Sequence, residues 1–175
     1  MKAENVPILY DLLMKLGLES LPSVDDFARE YLLAMEHSIE MIEVSLKKTG
    51  EIVGFGSIKE HDPAGHAKLG IFMDSERLPV GVGAEAMMML VNYSFATWDD
   101  LRKVYAVTTE ASLKSFGSAL AASPREALLS DHMYFQGRLW DLHYYSVSRS
   151  AWISHGMPLL DRIVRGPLTT RREAG

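Results

Sequence analysis

Two stretches decide the fold: His66-Ala67-Lys68-Leu69-Gly70-Ile71-Phe72-Met73 and, four residues on, Leu78-Pro79-Val80-Gly81-Val82-Gly83-Ala84-Glu85-Ala86. In the first, Ala67, Leu69, Ile71 and Met73 alternate with their neighbours, the period of a strand. The second opens a long helix in which Ala84, Met88, Val91, Phe95 and Trp98 form one stripe, widened by Met87 and Leu90. A further strand follows from Leu101 to Thr108, with Val104 and Ala106 on one face and Tyr105 and Val107 on the other. A strand, a crossover helix and a strand make a parallel pair, so 66–73 is expected beside 101–108.

Working outward, Ile42, Val44 and Leu46 alternate with polar residues as a half-buried strand. Thr49-Gly50 turns the chain, and Ile52 to Ile58 returns as its hairpin partner. The loop Asp62-Pro63-Ala64-Gly65 leads into the strand at 66–73. Ahead of this meander, Ile8, Leu12, Leu13 and Leu16 share one helical face that Gly17 stops. Ser23, with Asp26 three residues later, announces a second helix carrying Phe27, Tyr31, Leu32 and Met35. After the parallel pair come a short helix from about Ala111 to Ala121 and a hairpin, Leu128 to Phe135 and Leu139 to Val147, joined at Gln136-Gly137. Beyond Trp152 the pattern fades. The reading is α/β (α+β): a mixed, mostly antiparallel sheet with one parallel pair, flanked by helices and not doubly wound. One domain is expected over 1–160, with an arginine-rich appendage at 161–175.

The 175 residues suit a single domain, and 47% hydrophobic content is enough for a packed core. With Lys+Arg 18 against Asp+Glu 23, the net charge of −5 argues against nucleic acid as the partner. The chain has no cysteine, which removes disulfides, thiolate nucleophiles and Cys-based zinc sites. No apolar run is long enough to span a bilayer, and the start lacks signal-peptide order. A cytoplasmic location with no membrane partner is the expectation.

Gly81-Val82-Gly83 lies between a strand and a helix amino terminus, where free N–H groups and the helix dipole favour an anion. A dinucleotide fingerprint would need a third glycine where Ala86 stands, in an all-parallel setting that the hairpin contradicts. A P-loop needs Gly-Lys-Ser/Thr, which is absent. A tight loop without a ligand is the remaining alternative.

The segment Lys68 to Glu85 resembles motif A of the GCN5-related N-acetyltransferase (GNAT) superfamily, whose R/Q-x-x-G-x-G/A loop cradles the pyrophosphate of coenzyme A. Leu69-Gly70-Ile71-Phe72 is similar to the family's fourth strand, and Gly81-Val82-Gly83-Ala84-Glu85-Ala86 to the opening of its third helix. The hairpin Ser130 to Asp141 resembles that of the subgroup acetylating ribosomal-protein amino termini. The likeness covers roughly 25–152, and the family's first strand is reduced or missing. There are departures. The family's Arg or Gln falls at Leu78, with Arg77 one residue early. A glutamate common on the fourth strand is Lys68, and the Asn and Tyr of the fourth helix fall at Thr109 and Phe116.

What the resemblance implies is an N-acyltransferase moving an acyl group directly from acetyl-CoA, or another acyl-CoA, to an amine. The amine would belong to a small molecule or a protein amino terminus, no metal would take part, and a homodimer is left open. Val80, Gly81, Val82, Gly83 and Ala84 would anchor phosphate. Ile71, Phe72 and Met73 would align pantetheine, with Thr109, Ser112 and Phe116 against the coenzyme. An amine of lysine-like pKa must lose a proton before attack; Glu110 and His132 are the candidate bases. Since Phe116 has no proton to give the departing thiolate, the thiolate either leaves unassisted or takes a proton from a substitute donor such as Ser112, Ser115 or water. Two rivals accompany this reading: a non-catalytic acyl-CoA-binding module, and a biosynthetic enzyme with a longer acyl donor served by Met87-Met88-Met89. His61 and His66 flanking Asp62 lack a metal-ligand spacing, and Ser148, Ser150 and Ser154 near His155 lack an acid partner for hydrolase chemistry.

Overall fold

In the computed structural model the residues described are 1–18, 20–37, 39–110, 112 and 123–165, without the side chains of 35–37 and 39. After a 3-10 turn at Ala3–Asn5 come helices α1 (Val6–Lys15) and α2 (Val24–His37), with no strand described ahead of them. Strands β1 (Ile39–Ser45), β2 (Ile52–Asp62) and β3 (His66–Met73) form the meander. Helix α3 (Val82–Thr97) leads to β4 (Lys103–Thr109), and the hairpin β5 (Arg125–Phe135) and β6 (Arg138–Ser148) follows. Turn chemistry matches the hairpins: Gly50 has φ 73°, while Gln136 and Gly137 have φ 51° and 71°, the left-handed pair a two-residue hairpin turn requires. Ser23 caps α2, its Oγ accepting from the Asp26 N–H at 3.3 Å.

The strands form one sheet in the order β1-β2-β3-β4-β6-β5. Every neighbouring pair is antiparallel except β3 and β4, which run parallel. The parallel pairing is short. It runs from His66↔Lys103 to Leu69↔Ala106 and stops, although both strands continue.

The two faces of the sheet bury different helices. Ala67, Leu69, Met73, Val104 and Ala106 meet Met87, Met88, Leu90, Val91 and Phe95 of α3. Phe55, Met41 and Phe72 on the opposite face meet Leu9, Leu12 and Leu13 of α1 and Phe27 and Tyr31 of α2. Phe55 is fully buried; such a ring, truncated to alanine, costs about 3–5 kcal/mol.

Where the sequence pattern fades, the chain is helical. An α-turn at Arg149–Ala151, a π-stretch at Trp152–Gly156 and an α-segment at Met157–Arg165 form one run, α4. Trp152 and Leu160 pack on the α3 core. Gly156 lets the backbone lie against the Trp152 ring, since a Cβ there would meet ring carbon Cε3 at 2.0 Å. The run escapes a hydropathy reading because its residues from Ile153 to Met157 are mostly exposed and Ser-, His- and Gly-rich. The helix passes through 160/161 without a break, so the expected appendage starts as helix. Positions 166–175, and the helix expected at 111–121, lie outside the described residues apart from Ser112.

Arg149 fixes the far end of α3. Its guanidinium donates to the carbonyls of Phe95 and Leu101, both at 2.8 Å, and to that of Trp98. Phe95 lies in the last turn of α3, whose carbonyls a helix end leaves without an intrahelical partner.

Candidate functional site

Where β3 and β4 part, a cleft of about 680 Å³ opens through the sheet. A central strand divides its backbone groups between two neighbours. Beyond Leu69, β3 keeps its pairing with β2 through Met73, while β4 no longer pairs with it. The groups of Gly70 to Met73 that point toward β4 therefore have no strand partner, and buried backbone groups require one. Gly70 has no side chain to fill this space; a Cβ there would meet Ser57 Oγ at 2.7 Å. Thr109, across the cleft on β4, is 4% exposed, and its Oγ1 has no hydrogen-bond partner in the described structure.

One mouth of the cleft is the glycine loop. Gly81 takes φ 94°, a left-handed conformation natural to glycine, and a Cβ on it would project into open space. The first backbone bond of α3 proper runs from the Glu85 N–H to the Gly81 carbonyl at 3.0 Å. The N–H groups of Gly83 and Ala84 therefore precede the helical ladder, and no side chain caps them. Leu78, Pro79, Val80, Gly81 and Gly83 line this mouth. Arg77 does not; it is held by Glu51 and lies 3.9 Å from Asp74. The anion cradle is made of backbone.

Residues aimed at the α1–α2 face build the other half. Leu16 and Leu18 follow α1, Met133 and Phe135 come from β5, and Leu142 and Tyr144 from β6. Lys59, Glu60 and Lys68 lie at the closed end, beside the last paired rung of the parallel strands. Glu60 sits in a bulge between β2 and β3 with φ 53°, uncommon for a residue with a side chain. Its Oε2 is 2.5 Å from Lys68 Nζ, which lies 5.7 Å from the centroid of the Tyr144 ring. The Glu60 hydrogen bond, ahead of the opposing effect of burial, raises the Lys68 pKa above the ordinary lysine value, so Lys68 stays charged. The α1 end is tied down: Lys15 Nζ donates to both Asp74 carboxylate oxygens at 2.8 and 2.9 Å. That bond holds the Leu16–Leu18 wall to the segment following β3.

Of the residues expected to serve the site, the structure brings Ile71, Phe72, Met73, Val80, Gly81, Gly83, Thr109 and Ser112 to one cleft. Val82 and Ala84 belong to the same helix opening without lining its wall. Glu110 and His132 are not part of the lining. Glu110 is exposed at the end of β4, with Oε1 3.5 Å from the buried His143 Nε2. His132 is exposed beside the β5 bulge at Leu129/Met133. Ser115 and Phe116 lie outside the described residues.

The methionine run divides. Met87 lines the cleft, Met88 is buried in the core and Met89 is 53% exposed. Sequence reasoning missed Glu60, Lys59 and Tyr144. Alternation in β6 could have separated Tyr144 from Tyr145, but only the bulge at Glu60 turns its carboxylate inward. Among the described residues no group of three or more His, Asp or Glu side chains could hold a metal ion.

No family model matches the chain, and no curated protein does. Solved structures do match it. Mutant forms of the spermidine/spermine N-acetyltransferase SpeG from Vibrio cholerae align at TM-score 0.75 and 16% identity, covering 88% of this chain and 94% of that one. The spermidine N-acetyltransferase from Vibrio cholerae in complex with CoA and spermine aligns at 0.73 and 16%, covering 87% and 95%. The fold is that of the GNAT acetyltransferases: a six-stranded, mostly antiparallel sheet opened at its one parallel pair.

Proposed function

We propose that the protein is an acyl-CoA-dependent N-acyltransferase, acetylating an amine by direct transfer from acetyl-CoA. The observation that carries the reading is the premature end of β3–β4 pairing, facing a glycine loop whose Gly83 and Ala84 N–H groups precede the helical ladder. The likeness to solved N-acetyltransferases, one of them a complex with CoA, supports it.

The residues fit the coenzyme. Backbone N–H groups of Gly83 and Ala84 would hold its pyrophosphate against the α3 dipole. The open edge of β3 at Ile71 to Met73 would pair with pantetheine amides as with an added strand. Thr109 Oγ1 would gain the partner it lacks. One N–H of the β3 edge would face the developing oxyanion, an interaction worth on the order of 3 kcal/mol per donor.

In the transfer, the amine nitrogen bonds to the thioester carbonyl carbon, the carbon–sulfur bond breaks, and the sulfur leaves with its electron pair. One proton must leave the amine and one must reach the sulfur. Glu60 is the sole carboxylate among the described lining residues, and we assign it the first task. Lys68 holds its carboxylate in place. The Tyr144 hydroxyl, in the same chamber, is the available donor for the second. The acceptor is the amine of a small molecule or of a protein amino terminus.

Calorimetry tests the coenzyme, and release of free thiol from acetyl-CoA over an amine panel tests the chemistry. Gly83→Val should cut coenzyme A affinity strongly with the fold retained, because a β-branched side chain at the cleft wall crowds the phosphate path. Wild-type protein that binds no coenzyme A would sink the reading. Binding without thiol release for any amine would leave a binding module.

A further inference from the structure

The charge at the closed end of the cleft bears on the acceptor, and the argument rests on the acyltransferase reading above. Among the described residues three charged side chains line that end: Lys59, Glu60 and Lys68. Lys59 and Lys68 are register partners on adjacent strands and so share one face of the sheet. Glu60 is committed to Lys68 at 2.5 Å. That leaves Lys59, exposed and with no ion-pair partner among the described residues, and the end carries a net positive charge. Leu16, Leu18, Met133, Phe135 and Leu142 supply apolar wall, and the other polar side chains of the described lining, such as Ser57, Gln136 and Tyr144, are neutral.

Such a chamber is wrong for a polycation. A polyamine keeps one or more further ammonium groups after its reacting nitrogen has been deprotonated, and each needs a carboxylate to replace its water. The one described carboxylate in the lining, Glu60, is paired with Lys68 and assigned to the reacting amine, so none is left for a further ammonium. Like charges across a contact select against a partner more effectively than weak attraction selects for it. An anionic group, by contrast, would find a free ammonium at its disposal.

We infer that the acceptor is a small amine bearing an anionic group, carboxylate or phosphate, and that Lys59 receives that group while the amine points at the thioester. Lys59 is then a specificity residue: it binds the end of the acceptor remote from the chemistry, and Glu60 works at the amine.

The test compares thiol release from acetyl-CoA with four acceptors. These are 3-aminopropanoate, 3-aminopropyl phosphate, the neutral 3-amino-1-propanol and spermidine, joined by a short peptide with a free amino terminus. The two anionic amines should exceed the neutral one in kcat/KM by at least about tenfold, with spermidine lowest; that factor is about 1.4 kcal/mol of discrimination. Which of the two wins identifies carboxylate or phosphate. Lys59→Glu should collapse the preference through KM rather than kcat, the signature of lost ground-state binding. Coenzyme A affinity and melting temperature of the variant, measured alongside, show that the fold is intact.

Spermidine or the peptide as best acceptor would overturn the inference and leave the acyltransferase standing. A preference for anionic amines that survives in Lys59→Glu would overturn the role of Lys59. No thiol release from any amine, with coenzyme A bound, would overturn the acyltransferase reading itself.

Discussion

The two halves of the cleft are made of different material. The half we assign to the coenzyme is backbone: a left-handed glycine, the first turn of α3 and the open edge of β3, contributed by residues 70–84 in one run. The acceptor half is side chain, gathered from the end of α1 and from β2, β3, β5 and β6. A backbone site needs only the right conformation, so a short stretch of sequence specifies it and tolerates change at most side chains. A side-chain site needs several elements brought into register, and a single substitution re-tunes it.

Substitutions separate the two halves, beginning with the largest effect. Gly81→Val forces a β-branched residue into φ 94°, at a strain of about 1–3 kcal/mol, and misaims the N–H groups that follow. Losing two charge-assisted bonds at about 1.5–3 kcal/mol each corresponds to roughly 10²- to 10⁴-fold in coenzyme A affinity by calorimetry. Retained affinity would show that the coenzyme half does not depend on this loop.

Glu60→Gln should leave coenzyme A affinity unchanged and lower kcat by about 10²-fold, the lower end for a general base. The loss should persist at saturating amine. An effect on affinity alone would move Glu60 out of the proton path.

Arg149→Ala breaks the clasp on the far end of α3, opposite the glycine loop. It should cost about 2 kcal/mol, a fall of about 4–8 °C in melting temperature, with coenzyme A affinity kept. A matching loss of affinity would mean that the loop is positioned from the distant end of its helix.

The smallest effect is at Glu126 of β5, away from both halves, where Lys103 and Tyr105 of β4 donate to its carboxylate. Hydrogen bonds from Lys103, and then from Ser146 and Tyr105, lower the Glu126 pKa from 4.5 to about 2. A lowered folded-state pKa stabilises above the ordinary carboxylate range, and the contribution is lost as pH falls from about 4.5 toward 2. Because its side chain is 39% exposed, solvent screening holds the contribution under about 1 kcal/mol. Glu126→Gln should therefore lower the melting temperature by no more than about 3 °C at neutral pH. The difference from wild type should close as pH approaches 2; a gap independent of pH would assign it to packing instead.

Much of this molecule is written in local pattern. The alternation at Ala67 to Met73, the stripe from Ala84 to Trp98 and the glycines at 81 and 83 specify the strand, the helix and the loop between them. Each depends only on residues within a turn or two of one another. The order of these elements then forces the parallel pair, because a crossover helix permits nothing else. The family resemblance, not the pattern itself, points to Ile71 to Met73 and Thr109, which line the cleft. Local pattern did not reach the partnership of Glu60 with Lys68, which requires a bulge two residues before the chain turns into β3. Nor did it reach Tyr144 facing Lys68, which depends on how β6 is registered on the far side of β4. Glu110 and His132, chosen for chemical type and nearness to strand ends, stand outside the cleft, since one residue of phase in a strand or one bulge decides which face a side chain takes. Short-range sterics and period determine a backbone site from sequence alone. Cross-strand register between β2 and β3, with the bulge at Glu60, decides which charges meet at the other end of the cleft.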